Sequence, residues 1–201
     1  MQNPNRKPIF YENVTVITGA SIGIGREIAL LLARQGAWLA LASQDAAKLE
    51  EVAWQCHQCG GKAICIPTDV TKQTQCRNLI KSTFKKYGRI DTLINYAGVG
   101  HSAGFEDLVD ITVYEHVIQV IFWGSVYCTF YALPCLKERK GRLVGISSYR
   151  GKFSSTTADG YGVSKHALAG FYDSLRLELA GSGVSVTTIY PARVNLSLIH
   201  I

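Results

Sequence analysis

Two serines, a tyrosine and a lysine are the residues of this chain whose types and spacing best suit the movement of a proton. Ser147 and Ser148 close an aliphatic run that starts at Arg142. Tyr161 follows Ser148 by 13 residues, and Lys165 follows Tyr161 by four. Positions i and i+4 share one helical face, so a helix through this segment presents Tyr161 and Lys165 to the same ligand. An ammonium beside a phenol stabilises the phenolate and draws a tyrosine from its ordinary pKa of about 10 toward working pH, where it serves as a general acid or base. Taken alone, the spacing is better explained by an amphipathic helix with an exposed lysine.

A second group of residues suits a phosphate. The run "TGASIGIG", Thr18 to Gly25, stands between a β-branched stretch and the apolar segment Ile28–Ala33. Gly19, Gly23 and Gly25 let the backbone turn tightly and approach a ligand, with Ser21, Ile22 and Ile24 between them. The helix that follows offers unpaired N–H groups and a partial positive charge. A pyrophosphate is the expected guest, although a glycine-rich turn without a ligand has the same spelling. About twenty residues on, where an acidic side chain often holds the adenosine ribose, stand Ser43 and Gln44. Neither repels a 2′-phosphate and neither supplies a carboxylate, which tilts the corner toward NADP over NAD. Lys48 or Arg26 could meet that phosphate, or each could simply occupy a solvated helix face. Asp45 comes late for the ribose and suits the N-cap of the next helix.

These groups need a frame. Strand-like runs recur at Val14–Thr18, Trp38–Ala42, Ala63–Pro67, Thr92–Asn95, Arg142–Ile146 and Ser185–Tyr190. Helical segments over roughly 23–35, 46–59, 71–87, 111–139 and 160–181 separate them. Five of these segments close on Gly36, Gly60, Gly88, Gly141 and Gly183, as left-handed C-terminal caps would. Strands joined by helices of this length run parallel through right-handed crossovers and are covered on both faces. The expected fold is α/β, a doubly wound parallel sheet in a Rossmann-like three-layer α/β/α arrangement, forming one domain over residues 1–201.

Composition narrows the function classes. With 47% hydrophobic and 18% charged residues in 201, the chain has material for a core. The charge of +6 comes from 21 basic and 15 acidic residues that are scattered along the sequence, which argues against nucleic acid. The first residues, "MQNPNRKPIFYEN", hold no apolar run of signal length, so a cytoplasmic protein with six reduced thiols is expected. Only Cys56 and Cys59 make a CxxC, without the second pair a zinc site would want, and no metal is expected. Between Glu115 and Lys137 no acidic or basic side chain occurs for 21 positions. His116, Gln119 and Pro134 inside that run favour a buried helix, in the core or at a subunit interface, over a membrane span.

The ordered set "TGASIGIG", "TDV" at Thr68–Val70, "NYAG" at Asn95–Gly98, "ISS" at Ile146–Ser148 and "YGVSK" at Tyr161–Lys165 resembles the short-chain dehydrogenase/reductase family over residues 11 to 194. The resemblance implies an NAD(P)-dependent oxidoreductase that interconverts a small-molecule carbonyl and a secondary alcohol by hydride transfer. In it, Ser148 holds the substrate oxygen, Tyr161 donates its proton, and Lys165 lowers the tyrosine pKa and binds the nicotinamide ribose. Besides the glycine turn with Ser43 and Gln44, the resemblance puts Asp69 and Val70 beside the adenine and Asn95, Ala97 and Gly98 along the cofactor cleft. Pro191 and Val194 fall near the nicotinamide, together with Tyr161 and Lys165. Loops 99–110, with His101 and Phe105, and 149–160, with Arg150, Lys152 and Phe153, line the entrance; charges there are expected to be solvated. A homodimer or homotetramer packed through the helix around His116–Leu136 is also implied.

Three positions depart from the family pattern. Ile121 stands where an asparagine usually relays protons, and an alkyl group cannot hydrogen-bond the relay water. Gln119, two residues away, points elsewhere on a helix. Tyr96 replaces a second asparagine. After "YPARV" the resemblance stops, with Leu196 at an expected threonine, so the tail from about residue 196 is expected to be foreign and the final strand and substrate-binding region missing. The alternative function is a catalytically impaired or inactive dinucleotide-binding fragment or sensor subunit.

Overall fold

The structure, a computed structural model, describes residues 7–100, 104–154, 158–192 and 194. Parallel strands β1 (Val14–Thr18), β2 (Trp38–Ser43), β3 (Lys62–Pro67), β4 (Thr92–Asn95), β5 (Arg142–Ile146) and β6 (Ser185–Ile189) form one sheet in the order β3-β2-β1-β4-β5-β6. Between them lie α1 (Gly23–Arg34), α2 (Ala46–Gln58), α3 (Gln73–Tyr87), α4 (Thr112–Ile118), α5 (Gly124–Arg139) and α6 (Gly160–Glu178). The order reverses between β1 and β4, the place where open α/β sheets open a crevice at their carboxyl edge. Registers Ile17 to Ile94 and Asn95 to Gly145 bring the ends of β1, β4 and β5 level there.

The strands are short and aliphatic because both faces are covered. One cluster gathers Val16, Leu93, Ile121, Leu143 and Leu168 on the α3–α5–α6 side, and the other gathers Ile17, Ala29, Leu39, Leu41 and Leu49 under α1 and α2. Parallel strands buried on both faces read as continuous hydrophobic runs. That is why all six are legible in the sequence. Among the described residues β6 pairs on one side only, and its Ser185 and Thr187 face outward.

Three local features differ from the sequence expectation. Helix α3 begins at Gln73 because the Asp69 carboxylate accepts from the Thr71 amide at 2.9 Å and its hydroxyl at 2.7 Å, closing a turn where helix was expected. The segment expected as one helix over 111–139 is broken into α4 and α5 by a π-helical turn, Gln119–Trp123. Gly36, Gly60, Gly88 and Gly183 are left-handed as expected, but at the end of α5 Lys140 takes that conformation, φ 47°. Gly141 is needed for space instead, since a Cβ there would lie 2.5 Å from the Asp91 carbonyl oxygen. The apolar stretch Thr112–Arg139 is long enough to cross a membrane by length and composition, with 44% of its apolar 18-residue segment buried inside the protein.

Candidate active site

The end of β1 builds the first wall. Gly19 and Gly23 have φ of 70° and 58°, the left-handed region that other residues seldom adopt. Space demands glycine as well: a Cβ on Gly25 would lie 2.2 Å from the Gly19 carbonyl oxygen, and one on Gly19 would lie 2.9 Å from the Ala97 backbone. Helix α1 therefore starts hard against β4; its N-cap residue, Ile22, supplies no side-chain acceptor, and no acidic residue stands in its first turn. Thr18, 2% exposed, accepts from the Tyr96 and Ala97 amides and ties the ends of β1 and β4 together.

Between these ends runs a cleft of about 300 Å³. Gly19, Ser21 and Ile22 line one side, Ser43 and Gln44 the corner after β2, and Val70, Ala97 and Gly98 the other side, all anticipated from the sequence. Gly23, Ile24 and Gly25 lie behind it as the opening residues of α1. The cleft is also walled by Asp45, Lys48, Thr68, Tyr96, Val99, His116 and Val120. Of these, Thr68 and Val99 adjoin recognised motif positions. Tyr96 had a clearer signal, being a large side chain inside a glycine-bounded motif. Its ring lies against Gly19 and Gly25. Burial raises its phenol pKa, opposed by a hydrogen bond from the Ile24 amide and increased by the neighbouring Tyr161.

Two anticipated cleft residues are turned elsewhere. Asn95 is 2% exposed, and its amide nitrogen donates into the core to Thr129 Oγ1 at 3.0 Å and to the Tyr172 hydroxyl at 2.9 Å. Side chains alternate along a strand, so Tyr96 faces the cleft and Asn95 the α5–α6 layer. The Asp69 carboxylate closes the turn before α3. Burial raises its pKa, but hydrogen bonds from Thr71 and Gln44 outweigh that and hold it low. Of the two basic candidates, Lys48 reaches the cleft and lies 3.3 Å from Asp45, which caps α2. Arg26 is engaged with Glu27 and with Gln55 farther along α2.

At the end of β5 the candidate proton-handling groups assemble. Lys165 is 4% exposed, donates to the Ile146 carbonyl at 2.8 Å and sits 5.5 Å from the Tyr161 ring centre. Burial pulls its ammonium down from 10.5 to about 8. The backbone of the same turn is fastened to β5 by Ser147, whose hydroxyl donates to the Lys165 carbonyl at 3.1 Å. The Ser148 hydroxyl accepts from the Arg150 amide at 3.3 Å within a 3₁₀ turn, Tyr149–Gly151. Asp159 caps α6 by accepting from the Gly162 amide at 2.7 Å.

Farther along, the Pro191 carbonyl accepts from the Tyr149 amide at 3.0 Å, and Lys152 lies over the Tyr190 ring. Val194 is half exposed beyond them. Arg150, expected to be solvated, instead forms a close ion pair with Asp159, whose side chain has no exposure. Ile121 is fully buried beneath Gly98, and Gln119 points away toward the Thr71 carbonyl and Tyr127. Phe105 packs edge-on to Tyr114. His101, Leu196 and the tail beyond Leu196 lie outside the described residues.

Residues 13–199 match the short chain dehydrogenase family. The chain belongs to this family. It is 37% identical over 198 residues to 11-beta-hydroxysteroid dehydrogenase-like 3 of Arabidopsis thaliana, covering 96% of this chain and 64% of that protein. It is also 37% identical over 183 residues to an 11-beta-hydroxysteroid dehydrogenase of Pinus massoniana, covering 90% of this chain and 51% of that one. The fold superposes with a TM-score of 0.88 on a short chain dehydrogenase/reductase of Burkholderia phymatum crystallised with NAD, at 28% identity, covering 92% of this chain and 67% of the other. This short chain dehydrogenase chain thus spans between one half and two thirds of the length of the two plant relatives.

Proposed function

We propose that this chain is the cofactor-binding and proton-transferring part of an NAD(P)-dependent oxidoreductase that interconverts a carbonyl and a secondary alcohol on a small molecule. The observation that carries the reading is the convergence of a buried Lys165 on the Tyr161 ring, with the lysine held by the Ile146 carbonyl at the end of β5, two residues before Ser148. The cleft fits a dinucleotide. A helix start whose N-cap, Ile22, offers no competing side-chain acceptor and a turn that any Cβ would fill suit a pyrophosphate, and Ser43, Gln44, Thr68 and Val70 line the part of the cleft that would take the adenosine. The nicotinamide group supplies the hydride when bound.

The chain's own residues bind, orient and move the proton. The Ser148 hydroxyl accepts from the Arg150 amide, which leaves its own proton to donate to the substrate oxygen. Tyr161 gives its phenolic proton to that oxygen in reduction and receives it back in oxidation. Lys165, held by the Ile146 carbonyl, keeps a positive charge facing the ring from which the proton leaves. Lys48 at the cleft and the absence of a carboxylate at Ser43–Gln44 favour NADP over NAD. The exposed aromatic edge of α5, with Phe130 67% exposed, suits a second copy of the chain, and the free thiols suit the cytoplasm.

A second reading, a dinucleotide-binding subunit without turnover, is favoured by Ile121, whose buried alkyl side chain offers the proton path no polar atom. Titration with NADPH and NADH, followed by nicotinamide fluorescence, tests the cofactor under both readings. A carbonyl screen with a Tyr161→Phe control separates them. Loss of reduction by two orders of magnitude or more, roughly the general-acid contribution, supports the enzyme. Binding without any Tyr161-dependent reduction supports the subunit.

A further inference from the structure

We propose that Arg150 is a positioning residue whose ion pair with Asp159 fixes the Ser148 end of β5 against the first turn of α6, and so sets Ser148 relative to Tyr161 and Lys165. The inference rests on the carbonyl-reducing function above. It begins with the short path between the groups: Arg150 follows Ser148 by two residues and Asp159 precedes Tyr161 by two. The Arg150 amide donates to the Ser148 hydroxyl, while its guanidinium pairs with Asp159 and lies 5.8 Å from the Tyr161 ring centre. One residue therefore touches all three parts of the corner.

The pair is more than a helix cap requires. Capping α6 needs only an oxygen to accept from the Gly162 amide, which asparagine or serine would supply without charge. Here a carboxylate with no exposure faces a guanidinium whose side chain is 18% exposed. Parting two such charges, in a place where water reaches neither side chain well, is costly, so the contact resists opening. The turn is also pressed onto α6. A Cβ on Gly151 would lie 2.4 Å from Ser147 Oγ and 2.7 Å from the Lys165 carbonyl, so the backbone can approach only as glycine. A misplacement of an ångström or less at such a corner costs rate, while most of the dinucleotide's contacts lie along the glycine cleft.

Arg150→Met keeps the aliphatic length and removes the guanidinium; Asp159→Asn keeps an acceptor for Gly162 and removes the charge. Each variant is expected to lower kcat for carbonyl reduction roughly tenfold or more. Substrate KM and the fluorescence Kd for NADPH stay within about twofold, and the double variant is no slower than the slower single one, as for residues that act together. Unchanged kcat in either variant, additive losses, or an equal loss of NADPH affinity overturns the proposal. Parent activity indifferent to Tyr161→Phe instead overturns the carbonyl reading. In that case hydrogen exchange still decides the positioning role: amides of 149–151 and 160–165 lose protection in both variants while those of β1 and β2 keep it, and unchanged protection at the corner overturns it.

Discussion

The cleft beside β1 and the corner after β5 bind by opposite means. The β1 wall of the cleft is made of backbone, glycine conformation and close approach at the start of α1, with the Asp45–Lys48 pair at the solvated rim, 44% and 58% exposed. The corner is made of buried polar side chains: Lys165, Asp159 and Ser148 are all under one tenth exposed. Away from that charged rim, such a wall tolerates changes in pH and salt but not added atoms. A corner built on buried charge does not tolerate the loss of a partner.

The comparison breaks most sharply at Gly25. Gly25→Ala forces a Cβ into the Gly19 carbonyl, and overpacking of about 1–3 kcal/mol is expected, with NADPH affinity falling by roughly one to two orders of magnitude in a fluorescence titration. At the corner, burying the Lys165 charge costs on the order of 3 kcal/mol at neutral pH. Its pKa is about 8 folded against 10.5 unfolded, so between those values the unfolded chain binds more protons and stability rises with pH. Lys165→Met should therefore be more stable than the parent at pH 7 in urea melts, with the gap narrowing as pH rises from about 8 to 10. A gap that is independent of pH contradicts the burial argument.

Ile121→Asn, between the two regions, sharpens the contrast further. It should raise kcat several-fold, the order of one added proton-relay hydrogen bond, while costing about 1–3 kcal/mol of stability for a buried amide, measured by parallel kinetics and thermal melts. An unchanged kcat removes the relay explanation. The smallest effect belongs to the rim: Lys48→Ala should lower the preference for NADPH over NADH by a few-fold at most, about 1 kcal/mol or less for an exposed charge, and the difference should fade at high salt.

These contrasts also explain which parts of the site were legible. Gly19, Gly23 and Gly25 announce themselves because no other residue meets the conformational and steric demands of that turn. Tyr161 and Lys165 share a face because a helix puts i and i+4 together. Asn95 misled because a motif position says which strand end a residue occupies, and the pleat decides to which side it points. Arg150 misled in the other direction: a basic residue in a polar loop ordinarily lies in solvent, and only a carboxylate nine residues on, brought back by the 3₁₀ turn, gives it a buried partner.

The amino-acid order alone determined the six parallel strands, the helices that cover them and the glycine turn, because hydrophobic period, helix length and glycine spacing are local properties. The side-chain contacts across the corner were decided only in three dimensions. Burial of Lys165 on the Ile146 carbonyl, the Arg150–Asp159 pair and the inward turn of Asn95 each join segments whose separation in sequence carries no signal. Their energies come from exclusion of water by the surrounding layers, which no local stretch of the chain can produce by itself.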